Sequence, residues 1–311
     1  MKDHILGLHH ITAIATDAQR NLDFYSKVLG LRLVKKTVNF DDPGVYHLYF
    51  GDAVGSGGTI LTFFPWAHIV PGQRGRGQAT EIGYSVPAGS LDFWLKRFEE
   101  YHVSHQQPGE KLGEACLRFQ DPDGLQLALV VANGSDPRTP WASADVPAAA
   151  AILGFHYVAL TLANHQATAD LLTEVFGYRL LEQHGSHFRY GTDAVPAAAL
   201  VDLVAAPDEP ANGVAGGSVH HVAFQVKDDA TLLRFRKKLL ARGLDVTPWI
   251  DRQYFHSLYF REPGGVLFEL ATANPGFLVD EPLTELGTHL LLPPRYEVRR
   301  EQITAHLPQL V

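Results

Sequence analysis

The chain holds one cysteine and one methionine among its 311 residues. A lone Cys116 cannot close an intramolecular disulfide, and its setting in the apolar pattern ACLRF reads as an ordinary core thiol. No apolar stretch approaches the ~20 residues of a membrane span. The start, MKDHILGLHH, lacks a basic segment followed by an apolar run, so no secretory leader is expected and a cytoplasmic location is. A surplus of positive charge is missing too. There are 26 Lys and Arg against 34 Asp and Glu, a net charge of −8, mixed along the chain without blocks, so nucleic acid is not an expected partner. The glycines of GSGGT and RGRGQ carry no GK[ST] and do not lie between a strand and a helix, which excludes a phosphate loop. What remains, 46% hydrophobic and 19% charged residues, is the profile of a packed globular protein. The length suits two domains.

Against this plain background one feature recurs. GLHHITAI places His9 beside His10, and SVHHVAFQV places His220 beside His221. EPGGVLFELAT then sets Glu269 inside an apolar run. A lone carboxylate on a buried strand is costly unless something neutralises it. Two imidazoles and one carboxylate are the ligand set of a facial-triad iron(II) site, which leaves positions for oxygen and substrate. On a strand, successive side chains point to opposite faces, so one histidine of each pair enters a cavity directly. Periodicity does not choose which.

Four segments share one pattern: a short apolar strand, a helix, a Gly-marked turn and two or three further strands. They begin at LHHITAIAT, TEIGYSVP, LGFHYVALTL and GSVHHVAFQV. NLDFYSKVLGLRL in the first aligns with DLLTEVFGYRLLE in the third, and the turn DPDG in the second with EPGG in the fourth. Ser90 is placed to cap the second helix. The expected class is α+β, with four βαβββ units in two domains. Residues 1–132 form an N-terminal domain of two units, 133–151 a Pro/Ala/Ser-rich linker, 152–273 a C-terminal domain of two units, and 274–311 a tail whose end, 297–306, could be a short helix. Two units side by side would form a curled sheet with helices outside and a cavity inside.

Four such units, covering nearly the whole chain, resemble the vicinal oxygen chelate superfamily, which includes glyoxalase I, bleomycin-resistance proteins and extradiol dioxygenases. In that superfamily the ligand is usually the histidine before the apolar pair, as in H-I-T or H-V-A. The resemblance therefore implies His10 and His221 as ligands with Glu269, and makes His9 and His220 candidates to orient a ligand or substrate oxygen. At matching positions the second unit has Glu81 and Ala128. The third keeps His156, with Asp202 as the only carboxylate in reach. The first and fourth units are thus expected to build the site. One ligand near residue 10 is similar to the hydroquinone ring-cleaving dioxygenases, of which 2,6-dichlorohydroquinone 1,2-dioxygenase is the type. That resemblance adds Tyr259, Arg252 and Thr12 as pocket residues. It implies Fe(II), with Mn(II) as an alternative, and O2 with a small aromatic diol as substrates. His9 or His220 would handle protons, Tyr259 would hydrogen-bond the phenolate oxygen, and Arg252 would stabilise anionic character. His184, His187 and His256 read as surface or loop residues, although His256 is close enough to Tyr259 to line the pocket. The alternatives are a catechol extradiol dioxygenase, a glyoxalase-type isomerase, and a metal-free protein that binds aromatics. A homo-oligomer is left open.

Overall fold

The structure is a computed structural model that describes residues 3–134, 136–143, 145–211 and 213–311. The first unit runs β1 (Leu8–Ala15), α1 (Ala18–Asp23), β2 (Arg32–Val38), β3 (Tyr46–Gly51) and β4 (Ile60–Pro65). The second runs β5 (Gln78–Val86), α2 (Leu91–Glu100), β6 (Gly109–Lys111), β7 (Glu114–Gln120) and β8 (Gln126–Val131). The third has β9 (Gly154–Leu162), α3 (Gln166–Asp170), β10 (Arg179–His184), β11 (His187–Gly191) and β12 (Leu200–Ala205). The fourth has β13 (Val219–Val226), α4 (Asp229–Ala241), β14 (Ile250–Asp251), β15 (Phe255–Arg261) and β16 (Leu267–Pro275). α1 and α3 each continue into a wider π turn, Phe24–Val28 and Leu171–Phe176. Asp17 and Asp228 cap α1 and α4 through their carboxylates. Ser90 stands at the start of α2, but its hydroxyl donates back to Pro87 O at 2.7 Å instead of accepting from the first turn.

The strands form two curled eight-stranded sheets, in the orders β14-β15-β16-β13-β1-β4-β3-β2 and β10-β11-β12-β9-β5-β8-β7-β6. This is the α+β arrangement of four βαβββ units expected from the repeat. The units are shared between the sheets in an order that the sequence halves do not suggest. The first sheet joins unit one to unit four, and the second joins unit two to unit three. β1 pairs antiparallel with β13 at the centre of one sheet, and β5 with β9 at the centre of the other. Helical packing follows the sequence halves instead. Phe24 meets Phe119 across units one and two, and Arg97 of α2 donates to Val28 O and Lys27 O. Phe176 packs on Phe224 and Phe235 across units three and four. The sheets thus tie the two halves of the chain together.

The other side of each sheet is apolar. Val222, Phe224 and Val226 of β13 are fully buried, and the polar residues of the same strand face the concave side. The residues after β16 run back over unit one, with short helices α5 (Pro294–Glu297) and α6 (Arg300–Thr304). Arg295 and Tyr296 both donate to Phe40 O, which pins the loop between β2 and β3. Residues 136–143 and 145–151 cross the surface. Val146 and Ala150 are buried there, and the Trp94 indole donates to Ala150 O at 2.8 Å. Among the described residues no helix is long and apolar enough to cross a membrane.

Candidate metal centre

The register across the first sheet explains why three distant residues meet. Thr12 of β1 lies opposite His221 of β13, and His10 opposite Ala223. Ala223 is in turn beside Glu269 of β16, which is beside Tyr259 of β15. On the other flank Thr12 neighbours Thr62, which neighbours Tyr49. Two adjacent rows thus run from unit four into unit one, Tyr259–Glu269–Ala223–His10 and His221–Thr12–Thr62–Tyr49. His10 Nε2 and His221 Nε2 are 3.3 Å apart. Glu269 Oε2 lies 3.2 Å from the first and 2.9 Å from the second. All three residues are buried, and among the described residues this is the one cluster of three potential metal ligands.

Two β-bulges shape this cluster. The β1–β13 register shifts between Leu8 and His10 and again between Thr12 and Ala13, next to His220. A bulge adds an unpaired residue and redirects side chains. It therefore breaks the alternation that would otherwise send the two histidines of a pair to opposite faces. His220 consequently lines the cavity together with His221, which corrects the expectation of one cavity histidine for the second pair, while in the first pair His10 alone lines it. His9 Nδ1 lies 2.7 Å from His10 Nδ1, and His220 Nδ1 lies 2.8 Å from His221 Nδ1. Burial, followed by the adjacent His10, lowers the pKa of His9 to about 3. Burial and His221 lower that of His220 to about 4. Both rings are therefore neutral near pH 7. Both contacts are satisfied when His10 and His221 donate through Nδ1–H and their neighbours accept. Each inner ring then turns a bare Nε2 lone pair toward the other and toward Glu269.

That arrangement fits a cation. Glu269 is 0% exposed, and neither carboxylate oxygen has a hydrogen-bond partner. The imidazole approaches are short, but they lack hydrogen-bond geometry. An ionised, dry and unsatisfied carboxylate facing two lone pairs is costly in a protein alone. A divalent ion would satisfy all three groups.

A cavity of about 300 Å³ opens above the cluster. Its walls include His47, Phe64, His220, Arg252, Phe255 and Tyr259, with Asn39, Phe40 and Asp41 on the loop pinned by Arg295. Arg252 Nε donates to Tyr259 OH at 3.2 Å, and Nη1 donates to Asp41 Oδ2 at 3.2 Å. His9 does not line the cavity. It lies against His10 and Phe255, with ring centroids 5.0 and 5.3 Å away. His256 turns away to the Asp229 carboxylate at 2.8 Å. His184 pairs with Glu182 on the surface.

Sequence reasoning missed His47 and Tyr49. Tyr49 OH meets His47 Nδ1 at 2.8 Å, His47 Nε2 meets Thr62 Oγ1 at 2.8 Å, and Thr62 meets Thr12 at 2.8 Å. This buried chain leads from the cavity wall to the residue opposite His221. The signal was present in YHLYFG, where His47 and Tyr49 are two apart and so share a face. Only pairing with β4 shows which face that is.

The second sheet shows what happens to the same positions without a metal set. By register Glu81 stands where His221 does, Ala128 where Glu269 does, and Tyr157 where His10 does. His156 therefore corresponds to His9 and not to a ligand. In this sheet Lys111 supplies the positive charge. Its ammonium lies 3.8 Å from the centre of the Tyr157 ring, 2.7 Å from Glu81 and 3.2 Å from Asp202. Arg189 bridges Asp202 and Glu114, and Glu114 also meets His156 at 2.9 Å. Against burial, which pushes it up, Lys111, with Tyr157 and Arg118, holds the Glu81 pKa at about 2. The two sheets thus solve the same electrostatic problem in different ways: one is suited to a bound ion, and the other carries an internal ammonium.

The sequence and the fold have clear relatives. A curated protein from Sphingobium indicum, chlorohydroquinone/hydroquinone 1,2-dioxygenase, is 34% identical over 97% of this chain and 96% of its own length. MhqO of Bacillus subtilis, provisionally named a ring-cleaving dioxygenase, is 43% identical over 97% and 96%. A crystal structure of a Bacillus subtilis protein, provisionally described as a dioxygenase, superposes with a TM-score of 0.95 at 41% identity over 100% and 99% of the two chains. Maize glyoxalase I, at 14% identity and a TM-score of 0.64 over 93% and 98%, shares the fold alone. The profile of one family matches residues 7–129 and 154–270. By that match and these identities, the chain belongs to the glyoxalase/bleomycin resistance protein/dioxygenase superfamily.

Proposed function

We propose that this chain is a non-haem iron(II) ring-cleaving dioxygenase acting on an aromatic diol, and that hydroquinones are its preferred class. The observation that carries the reading is the Glu269 carboxylate, buried and without a hydrogen bond, facing two imidazole lone pairs under a cavity sized for one aromatic ring. His10, His221 and Glu269 would hold the metal. When bound, it would supply a Lewis-acidic, redox-active centre for a phenolate oxygen and O2. The names of the relatives support the reaction class, and the Sphingobium indicum relative supports the para-diol.

The remaining residues position the substrate and manage its protons. Tyr259 OH already accepts from Arg252, so its own proton is free to donate to a substrate oxygen. Burial, followed by Glu269, raises the Tyr259 pKa, which keeps the phenol protonated as a donor. The neutral His220 faces the cavity and can take the proton of an incoming hydroxyl. His9, behind His10, fixes the orientation of that ring. Phe64, Phe255 and the ring of Trp66 give apolar walls that exclude water. Loading with iron(II) in the absence of oxygen, followed by oxygen uptake against hydroquinones and catechols, tests the reading. Hydroquinone-dependent uptake with a ring-opened product supports it. A metal-loaded protein that consumes no oxygen with any diol refutes it.

A further inference from the structure

Arg252 is the one cationic side chain among the described residues that line the cavity, and Asp41 is the one carboxylate. They come from opposite flanks of the sheet. Arg252 follows β14 in unit four, while Asp41 lies on the loop between β2 and β3 in unit one. Their contact at 3.2 Å therefore spans the mouth. The geometry is not that of a casual surface pair. The Arg252 side chain is 19% exposed and the Asp41 side chain 75%, so the cation belongs to the cavity and the anion closes it from outside. The Asp41 loop is held at several points. Asn39 Oδ1 accepts from Asp41 N at 2.9 Å and Asp42 N at 3.3 Å, and Phe40 O is held by Arg295 and Tyr296.

A guanidinium at the wall of an aromatic pocket is a ready anchor for a carboxylate, through paired N–H donors. Here one Nη donor already faces Asp41, and Nε faces Tyr259. A carboxylated ring would compete with Asp41 for the guanidinium and would meet its charge at close range. A ring bearing only hydroxyl, alkyl or halogen substituents meets neither obstacle. We propose that Asp41 is a specificity-determining residue, which occupies Arg252 and biases the site toward diols that carry no carboxylate. This inference rests on the diol-cleaving reading and adds the substituent class to it.

The test compares iron-loaded wild type with Asp41→Asn and Asp41→Glu, using hydroquinone and 2,5-dihydroxybenzoate. The readout is the ratio of kcat/KM for the carboxylated over the uncharged substrate. Asp41→Asn should raise this ratio about tenfold, the scale expected for removing a like charge and freeing a partly buried cation. Asp41→Glu keeps the charge and should keep the wild-type ratio. If Asp41 only stiffens the loop, both substrates fall together and the ratio stays constant, which overturns the proposal. Anaerobic calorimetry with the same two compounds decides the question separately from turnover. An unchanged ratio of dissociation constants in Asp41→Asn overturns the proposal even if ring cleavage is observed. A raised ratio supports it even if the reaction class is wrong.

Discussion

Replacing Tyr259 with Phe removes one hydroxyl and leaves the ring, so it isolates the donor role. In the structure the hydroxyl accepts from Arg252 Nε at 3.2 Å, and the ring lies 5.7 Å from that of His221, centroid to centroid. Tyr259 is beside Glu269 in the strand pairing but makes none of the contacts that bring the three ligands together. Metal content should therefore stay at the wild-type level. A hydrogen bond to an ionised oxygen is worth about 1.5–3 kcal/mol, so kcat/KM for hydroquinone should fall roughly 10- to 100-fold. A hydroquinone offers the metal one oxygen and depends on this donor. A catechol can chelate through both oxygens, and its turnover should fall less. The assay is oxygen uptake at matched iron occupancy for both substrates. An equal loss on both, or a loss of iron in step with activity, would refute the assigned role.

Other perturbations give distinct signatures. Glu269→Gln should abolish the thermal shift caused by metal; in wild type, saturation at a hundred times Kd adds about 2.7 kcal/mol, or roughly 4 °C at this chain length, measured by calorimetry. His156→Ala should leave metal content unchanged and cost about 0.5–3 kcal/mol of stability in denaturant titration, through the lost contact with Glu114. Lys111→Met removes one cation from Glu81 and Asp202, which keep Arg118 and Arg189, and should cost about 1–3 kcal/mol in denaturant titration. Asp121 carries a pKa raised to about 7 from 3.8, chiefly by burial. Its protonated form stabilises the fold below about pH 4, and that contribution is lost as pH rises through 7. Asp121→Asn should therefore gain stability relative to wild type between pH 5 and pH 8, by at most about 4 kcal/mol. A difference that is flat with pH would count against the raised pKa.

The repeat, the fold class and the residues of the cluster were legible because each leaves a local mark. Two HH pairs at equivalent strand starts, Glu269 in an apolar run, and the aligned helices all sit within short windows. The ligand pattern brought units one and four together around the site, but the strand pairing that joins them into one sheet was not legible. Strand pairing between β1 and β13 joins residues more than 200 positions apart, and nothing in either strand names its neighbour. The bulges at His9 and His220 escaped for a related reason: alternation is a rule for regular strands, and a bulge appears only once both strands are paired. His47 and Tyr49 were hidden because their face is fixed by β4. Lys111, on a three-residue strand, had no pattern of its own. Its meaning comes from the register that sets its ammonium among the positions equivalent to the metal ligands.

The most direct test of the central claim is anaerobic titration of the metal-free protein with iron(II), followed by admission of oxygen with hydroquinone present. One iron per chain is expected in wild type, little or none in Glu269→Gln, and one oxygen consumed per hydroquinone ring opened. Full iron occupancy in Glu269→Gln, or iron bound in wild type with no oxygen consumed, would contradict that claim.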